Sequence, residues 1–418
     1  MSDVHDARNG IDVHHGLNSN RRVSQERPDH SRVVSERGHP GFAQHPYQFH
    51  GHAFARRSYF YHGYMYRGLY MDVYAPAFYY GPAFYGWAYN PWAAPIVFQW
   101  GWAGNPWFGY YGYYFAPEPS YPAAPFWLTD YMISNDLQES YAARQEAGEF
   151  ARDSPSTGGP PALTPAVKSM IASEVKNQLA VENFEARQNG AQQDVDPGSS
   201  GIARLLSDGH PHVFVSGGSL DLVEASGQEC AISSGDAFEM RTPPPAGATA
   251  ATLVVLSSKG GQECPMSSIV SISLGDLQEM QNHMRESIDQ GLQELQSKEG
   301  NGEVPASPSS AKSQPIPALY ASVAPPPDTN VAAEIQQQAI EADRAETEVA
   351  SAASEESGVP LVATPSAPAT IALGQTPEEV TAVLGAPPKV ADLGPGGMIY
   401  YYEGMKVIFK DGRVSSVK

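Results

Sequence analysis

The most reactive residues in this chain are two cysteines, in two copies of one tetrapeptide, Gly-Gln-Glu-Cys, ending at Cys230 and Cys264. Matching contexts for an even pair favour a disulfide, which would close a loop of about 34 residues and add roughly 3–4 kcal/mol by restricting the unfolded chain. Such a bond belongs to an oxidising compartment. The alternatives are two inert reduced thiols, or a nucleophile activated by His210, His212 or His283 in the same stretch. Nine of the twelve histidines precede Gly63, among them His45, His50, His52 and His62, and imidazoles at that density could hold zinc, copper or nickel. Their spacing follows no metal-site pattern, so a solvated polar tail competes with that reading. Titrating near pH 6.5, they would also make this end more cationic in acid. Ser216-Gly217-Gly218-Ser219 lacks a lysine and a following helix, so it reads as a turn and not a phosphate cradle. No catalytic constellation and no cofactor motif emerges.

Aromatic residues form the second chemical resource. All six tryptophans (Trp87, Trp92, Trp100, Trp102, Trp107 and Trp127) lie between Tyr47 and Trp127, with 31 of the 43 Phe, Trp and Tyr. Such rings could contact glycans, a membrane interface or a second copy of the chain, or could simply stack on one another. Charge separates this part from the rest: residues 1–127 hold nine Arg and eight acids, net +1, whereas residues 128–418 hold 17 basic and 38 acidic residues, net −21. With no Lys/Arg cluster to displace counterions, nucleic acid is not an expected partner.

Residues 1–40 show no apolar core of signal-peptide length, and a disulfide-bearing exported protein would then need a start upstream of Met1. The 45 uncharged residues between Asp72 and Glu118 are broken by Pro76, Pro82, Pro91, Pro95, Pro106 and Pro117, so no spanning helix is read there. The Gly and Pro spacing excludes helices from this block and leaves short extended pieces and turns.

Composition divides the chain into six segments. Residues 1–46 read as a disordered Arg/His-rich tail and 47–127 as the aromatic region. Residues 128–190 hold two amphipathic helices around a breaker at 154–161; the second is capped by Thr164 with Pro165 at its first position and carries a stripe from Val167 through Ile171, Val175 and Leu179 to Phe184. Residues 201–298 read as a β domain, a small barrel or sandwich, with strands near 212–215, 219–224, 237–241, 252–256 and 269–273. A helix follows, capped by Asp276, with Leu277, Met280, Met284, Ile288, Leu292 and Leu295 on one face. Residues 300–370 read as a Pro/Ser/Ala linker around a solvated acidic helix, and 371–418 as a compact module.

In that module Thr376, Pro377 and Glu379 form a capping box, Val380, Val383 and Leu384 a buried stripe, and Gly385 the stop. Glu403-Gly404 and Asp411-Gly412 then mark turns between three strands. The run Leu373-Gly374-Gln375-Thr376, the helix end Leu384-Gly385-Ala386-Pro387, the aromatic strand Tyr400–Tyr402 and the close Val407-Ile408-Phe409 with Asp411-Gly412-Arg413-Val414 resemble the SmpA/OmlA family of outer-membrane lipoproteins. The resemblance covers about 48 residues and lacks the family's anchoring cysteine; it implies a cell-envelope protein that works by contact. The aromatic region looks like Tyr/Trp/Gly-rich parts of uncharacterised exported bacterial proteins.

The expected fold is a multidomain α+β chain with a large low-complexity portion. The expected function is non-enzymatic: a periplasmic or outer-membrane protein that contacts envelope proteins or itself, in outer-membrane assembly or integrity, with no cofactor. The alternative is a glycan- or metal-binding envelope protein using the aromatic and histidine-rich segments.

Overall fold

A computed structural model describes residues 2–15, 21–28, 30–36, 39–57, 59–147, 162–260, 263–300, 303–312, 314–326, 328–357, 374–394, 397–402 and 405–417. Five strands open the chain: β1 (Ser2–Asp6), β2 (Ile11–His15), β3 (Arg21–Glu26), β4 (Arg32–Glu36) and β5 (His39–Phe49). They are followed by β6 (His52–Arg56), β7 (Phe60–Tyr66), β8 (Leu69–Ala75) and the short β9 (Phe78–Tyr79). Helices α1 (Pro82–Tyr89), α2 (Pro106–Tyr110), α3 (Ala124–Ala147), α4 (Pro165–Gly190) and α5 (Ile202–Leu205) come next. Then come β10 (His212–Val215), β11 (Leu220–Val223), β12 (Glu229–Ile232), β13 (Ala237–Met240), β14 (Ala250–Ser257), β15 (Ile269–Ser273) and α6 (Leu274–Lys298). The chain closes with β16 (Ile316–Pro317), α7 (Val331–Ser357), α8 (Pro377–Leu384), β17 (Lys389–Asp392), β18 (Gly397–Tyr402), β19 (Met405–Lys410) and β20 (Arg413–Val417).

Two compact units replace the six segments read from composition: a terminal unit of residues 1–45 and 328–418, and a central unit of residues 46–327. The terminal unit corrects two expectations. Most of the described residues before Pro46 lie in strands and not in a disordered tail. An antiparallel sheet runs β20-β19-β18-β17-β1-β2-β3-β4-β5, so the last strands pair with the first, with Val4 opposite Ala391. Alternation puts Val4, Ile11, Val13 and Val23 on one face, where Ala342, Ala345 and Val349 of α7 cover them. The acidic helix is therefore a lid on the sheet and not a solvated spacer, with two alanines and a valine as its apolar face. Gln338 of α7 is buried and donates to the Val33 carbonyl at 2.7 Å while accepting from Ser35 Oγ at 2.8 Å.

At the C-terminus the capping box is present as expected, Thr376 Oγ1 accepting from the Glu379 N–H and Glu379 from the Thr376 N–H. Val380 is buried with Val407, Phe409 and Val414, and Leu384 is half-buried against them. Asp411 and Gly412 both have positive φ, 53° and 69°, the geometry that joins β19 to β20 in a tight hairpin. The strand β17 adds a fourth C-terminal strand to the three expected. Leu373, the Glu403-Gly404 turn, the breaker at 154–161, the Pro-rich stretch at 359–370 and the Val383 side chain lie outside the described residues.

In the central unit the β domain follows the expected strands closely, with β12 the one that was missed. It is neither a closed barrel nor a single sandwich: β10-β13-β14-β15 form one antiparallel sheet and β11-β12 a separate ribbon. Along β14, Ala251, Leu253, Val255 and Ser257 face inward in strict alternation. The six-residue apolar stripe of α6 is buried as expected, but its cap is Ser273, whose Oγ accepts from the Asp276 N–H at 3.1 Å, and not Asp276.

Helices do occur in the aromatic region, contrary to expectation, because Pro82 and Pro106 occupy the first helical position, where proline's missing N–H costs nothing. The rings of this region pack with α3, α4 and part of α6 into the largest core of the molecule. Val304, Ala311, Ala318 and Tyr320 join that core, so the described parts of 303–323 are anchored to it and are not a free extended linker. Among the described residues, no helix is long and apolar enough to cross a membrane.

Candidate functional site

Each residue with chemical promise has a definite place. Cys230 and Cys264 form a disulfide with Cα atoms 4.9 Å apart, and both are buried. It ties β12 to the loop after β14, where the Cys264 N–H also donates to the Ala231 carbonyl at 2.8 Å. Neither sulfur is a thiolate, which removes the nucleophile reading. The three accompanying histidines serve elsewhere. The buried His212 ring faces Glu174 through Nδ1 at 3.0 Å and Asp208 through Nε2 at 2.9 Å. Burial opposes its protonation, but the bonds and charges of the two carboxylates prevail and raise its pKa. His283 meets Asp136 at 2.7 Å; burial again opposes, Asp136 prevails, and the pKa rises to about 9. The ring lies against Gly217, where a Cβ would come within 2.2 Å of it, so the Ser216–Ser219 turn needs glycine for close approach.

The four histidines proposed for a metal do not converge. His45 pairs with Asp328 at 3.0 Å and His50 with Asp194 at 2.8 Å. Only His52 and His62 are side by side, edge to face at 5.3 Å, and His62 also stacks on Phe54 at 4.2 Å. Burial and the neighbouring His52 lower the His62 pKa to about 4. Among the described residues, no group of three or more His, Cys, Asp or Glu side chains is placed to hold a metal.

The tryptophans are largely structural. Trp92, Trp107 and Trp127 are buried, which corrects their reading as contact residues, and Trp87, Trp100 and Trp102 are half-buried. Trp100 stacks between Trp102 at 4.3 Å and Trp127 at 5.0 Å and donates Nε1–H to the Tyr121 hydroxyl at 2.7 Å. The aromatic block is the core, so glycan binding through it loses half of its contact residues.

Two buried polar centres lie outside every sequence expectation. In the first, fully buried Arg285 of α6 donates to Glu185 at 2.8 Å and to the Tyr74 carbonyl at 3.0 Å, with Glu182 at 3.9 Å. Tyr74 in turn donates to Asp289 at 2.6 Å. Three carboxylates share one guanidinium, and burial drives the Glu182 and Asp289 carboxyls upward, Asp289 to about 7. In the second, Lys259 Nζ donates to Asp236 at 2.7 Å and to Ser233 Oγ at 2.9 Å, over the Tyr114 ring at 4.8 Å. A serine against a lysine invites a nucleophile-and-base reading. Burial opposes the ammonium here, but Asp236 and Glu263 outweigh it and raise the Lys259 pKa, while Ser233 Oγ donates to Glu263 at 2.5 Å. A lysine held charged is no general base, and this centre instead anchors the disulfide-bearing loop.

Facing solvent on the opposite side of α4 from Arg285 is a groove. One cleft of about 470 Å³ lies between α1 and α4, lined by Tyr89, Asn90, Asn183, Phe184 and Arg187 among others. A second of about 490 Å³ adjoins it, shares Ala180 and Phe184, and is bounded by Asn177, Arg204, Asp208, His210 and His212. Phe184 is 54% exposed where the sequence reading placed it on the buried stripe. The reason is spacing: five residues from Leu179 to Phe184 turn the helix about 140° off that face.

The fold and these centres define a disulfide-closed α+β protein with an open cationic groove. No protein-family model matches the chain, and neither a curated protein nor a solved structure matches it.

Proposed function

We propose that this is a non-enzymatic protein of the bacterial envelope, outside the cytoplasm, that works by contact with other proteins or with itself and serves outer-membrane assembly or integrity. The observation that carries the reading is the buried Cys230–Cys264 disulfide, since such bonds persist in oxidising compartments. Two arrangements support it. The reactive side chains are tied into packing: cysteines joined, Lys259 salt-bridged, His212 and His283 held by carboxylates. The C-terminal helix followed by a meander has the element order that the SmpA/OmlA resemblance implies.

Fractionation of the native host with thiol trapping at lysis tests the reading. The expected result is an oxidised pair in the periplasmic or outer-membrane fraction. A cytosolic chain with both cysteines reduced would overturn it.

A further inference from the structure

We propose that the groove along the outer face of α4 binds an extended acidic peptide segment of a partner protein, its carboxylates against Arg187 and Arg204 and an apolar side chain on Phe184. This rests on the contact reading above and names the chemistry of the contact.

Charge complementarity comes first. The chain carries a net charge of −20, yet the groove is lined by Arg187, Arg204 and His210, and Lys176 stands at its border over the lining Tyr89 ring. Among the described residues Arg187 and His210 make no side-chain ion pair, and Lys176 meets only the face of the Tyr89 ring, at 4.5 Å. The single acid lining the groove, Asp208, is already engaged: it accepts from the His210 N–H and faces the His212 ring, both at 2.9 Å. Arg204 reaches Asp208 only at 3.9 Å.

Unmet hydrogen bonds come second. Arg204 Nε and Nη2 and Asn183 Oδ1 are buried atoms with no partner among the described residues. Both side chains line the groove, and a rotamer change that turns these atoms outward would present two donors and one acceptor to a carboxylate and a peptide N–H. Shape comes third. From Lys176 to Arg187 the helix runs about 16 Å at roughly 1.5 Å per residue, the span of about five residues of extended chain. Cations strung over that length, with an exposed phenylalanine between them, cannot converge on one phosphate. They suit alternating acidic and apolar side chains.

The test uses the purified, oxidised full-length protein and fluorescein-labelled octapeptides in which Asp or Glu flank a central Leu or Phe. Lysine-for-acid versions serve as controls, and vesicles of phosphatidylglycerol as a competing anionic surface. The acidic peptides are expected to bind in a salt-sensitive manner, the lysine versions not at all. Arg187→Glu should weaken binding about tenfold or more, the scale of a lost charge-assisted contact. Phe184→Ala should weaken it several-fold. Both residues are exposed, so unchanged thermal unfolding should accompany both losses.

Binding by none of the peptides, binding indifferent to Arg187→Glu and Phe184→Ala, or preferential vesicle binding through the same residues would each overturn the proposal. A photo-crosslinker at position 184 in intact cells separates it from the broader reading. Partners trapped from other faces but none from position 184 would remove the groove and leave the contact function. A reduced, cytosolic chain would remove the envelope reading whatever the peptides do.

Discussion

The central and terminal units bury different materials. In the central unit the larger core is built on large rings, Trp127, Tyr85, Tyr111, Phe84 and Phe115 among them, beside a second core of mainly aliphatic side chains, and charges are sealed inside the unit: Arg285 against Glu185, Lys259 against Asp236. In the terminal unit the main cluster is valine, isoleucine and alanine on a sheet under one helix, with the neutral amide of Gln338 as its buried polar group on α7. Rings can fill space between irregular segments that no regular helix or strand could bring together. Buried ion pairs then make the packing intolerant of single deletions, because removing one partner strands the other in a low dielectric. A sheet of small residues has no such single point of failure.

All six tryptophans lie in the central unit. Tryptophan fluorescence therefore follows that unit alone, while far-ultraviolet circular dichroism follows both. Arg285→Met should have the largest effect, destabilising the central unit by ~3–5 kcal/mol in urea unfolding followed by fluorescence. Adding Glu185→Gln and Glu182→Gln should recover much of the loss. A cost for Arg285→Met below about 1 kcal/mol would dissolve the contrast between the units.

Next in size is the disulfide: replacing Cys230 and Cys264 with alanine should cost ~3–4 kcal/mol by the same probe and leave the terminal unit's transition unmoved. Comparable losses in both transitions would show that the division is not energetic.

Acidity should separate the units at a similar or smaller scale. The folded pKa of His283 is raised to about 9 from an ordinary value near 6.5, so its contribution, up to about 3 kcal/mol, is complete below 6.5 and lost as pH climbs through 9. Asp236 and Asp289, both raised to about 7 by burial, act in the same direction: what their protonation adds is present below about 4 and lost as pH rises through 7. The central unit should therefore be more stable at pH 6 than at pH 10, and His283→Gln should flatten the upper part of that slope. A wild-type profile rising from pH 6 to pH 10 would contradict the assignment.

The smallest effect belongs to the terminal unit, where Gln338→Ala should cost ~1–3 kcal/mol through the Val33 carbonyl and Ser35 hydroxyl left without their partner. Far-ultraviolet dichroism should register it and fluorescence should not.

Much of the central β domain was legible from local pattern. Its strands, the α6 stripe and the cysteine pair follow from alternation, helical spacing and repeated context. The short β12 escaped because Glu-Cys-Ala-Ile alternates too briefly to register. The terminal strands were misread for a different reason: Val4, Ile11, Val13 and Val23 alternate with polar residues, but the helix that buries them lies some 330 residues away and covers them with only two alanines and a valine. The buried charges were invisible altogether, since Glu182, Glu185 and Arg285 look like ordinary helix-surface residues until two helices and Tyr74 close around them. For the groove a signal did exist, in the five-residue step to Phe184.

By itself the amino-acid sequence determined where helices and strands begin and end over much of the chain, because capping, turn chemistry and hydrophobic period act between near neighbours. It also determined that the two cysteines form a matched pair. Only the tertiary structure decided that six compositional segments make two units, that the aromatic block is a core, and that α4 shows one charged face to the interior and another to solvent. Those outcomes depend on which distant surfaces exclude water from one another, and no local window contains that information.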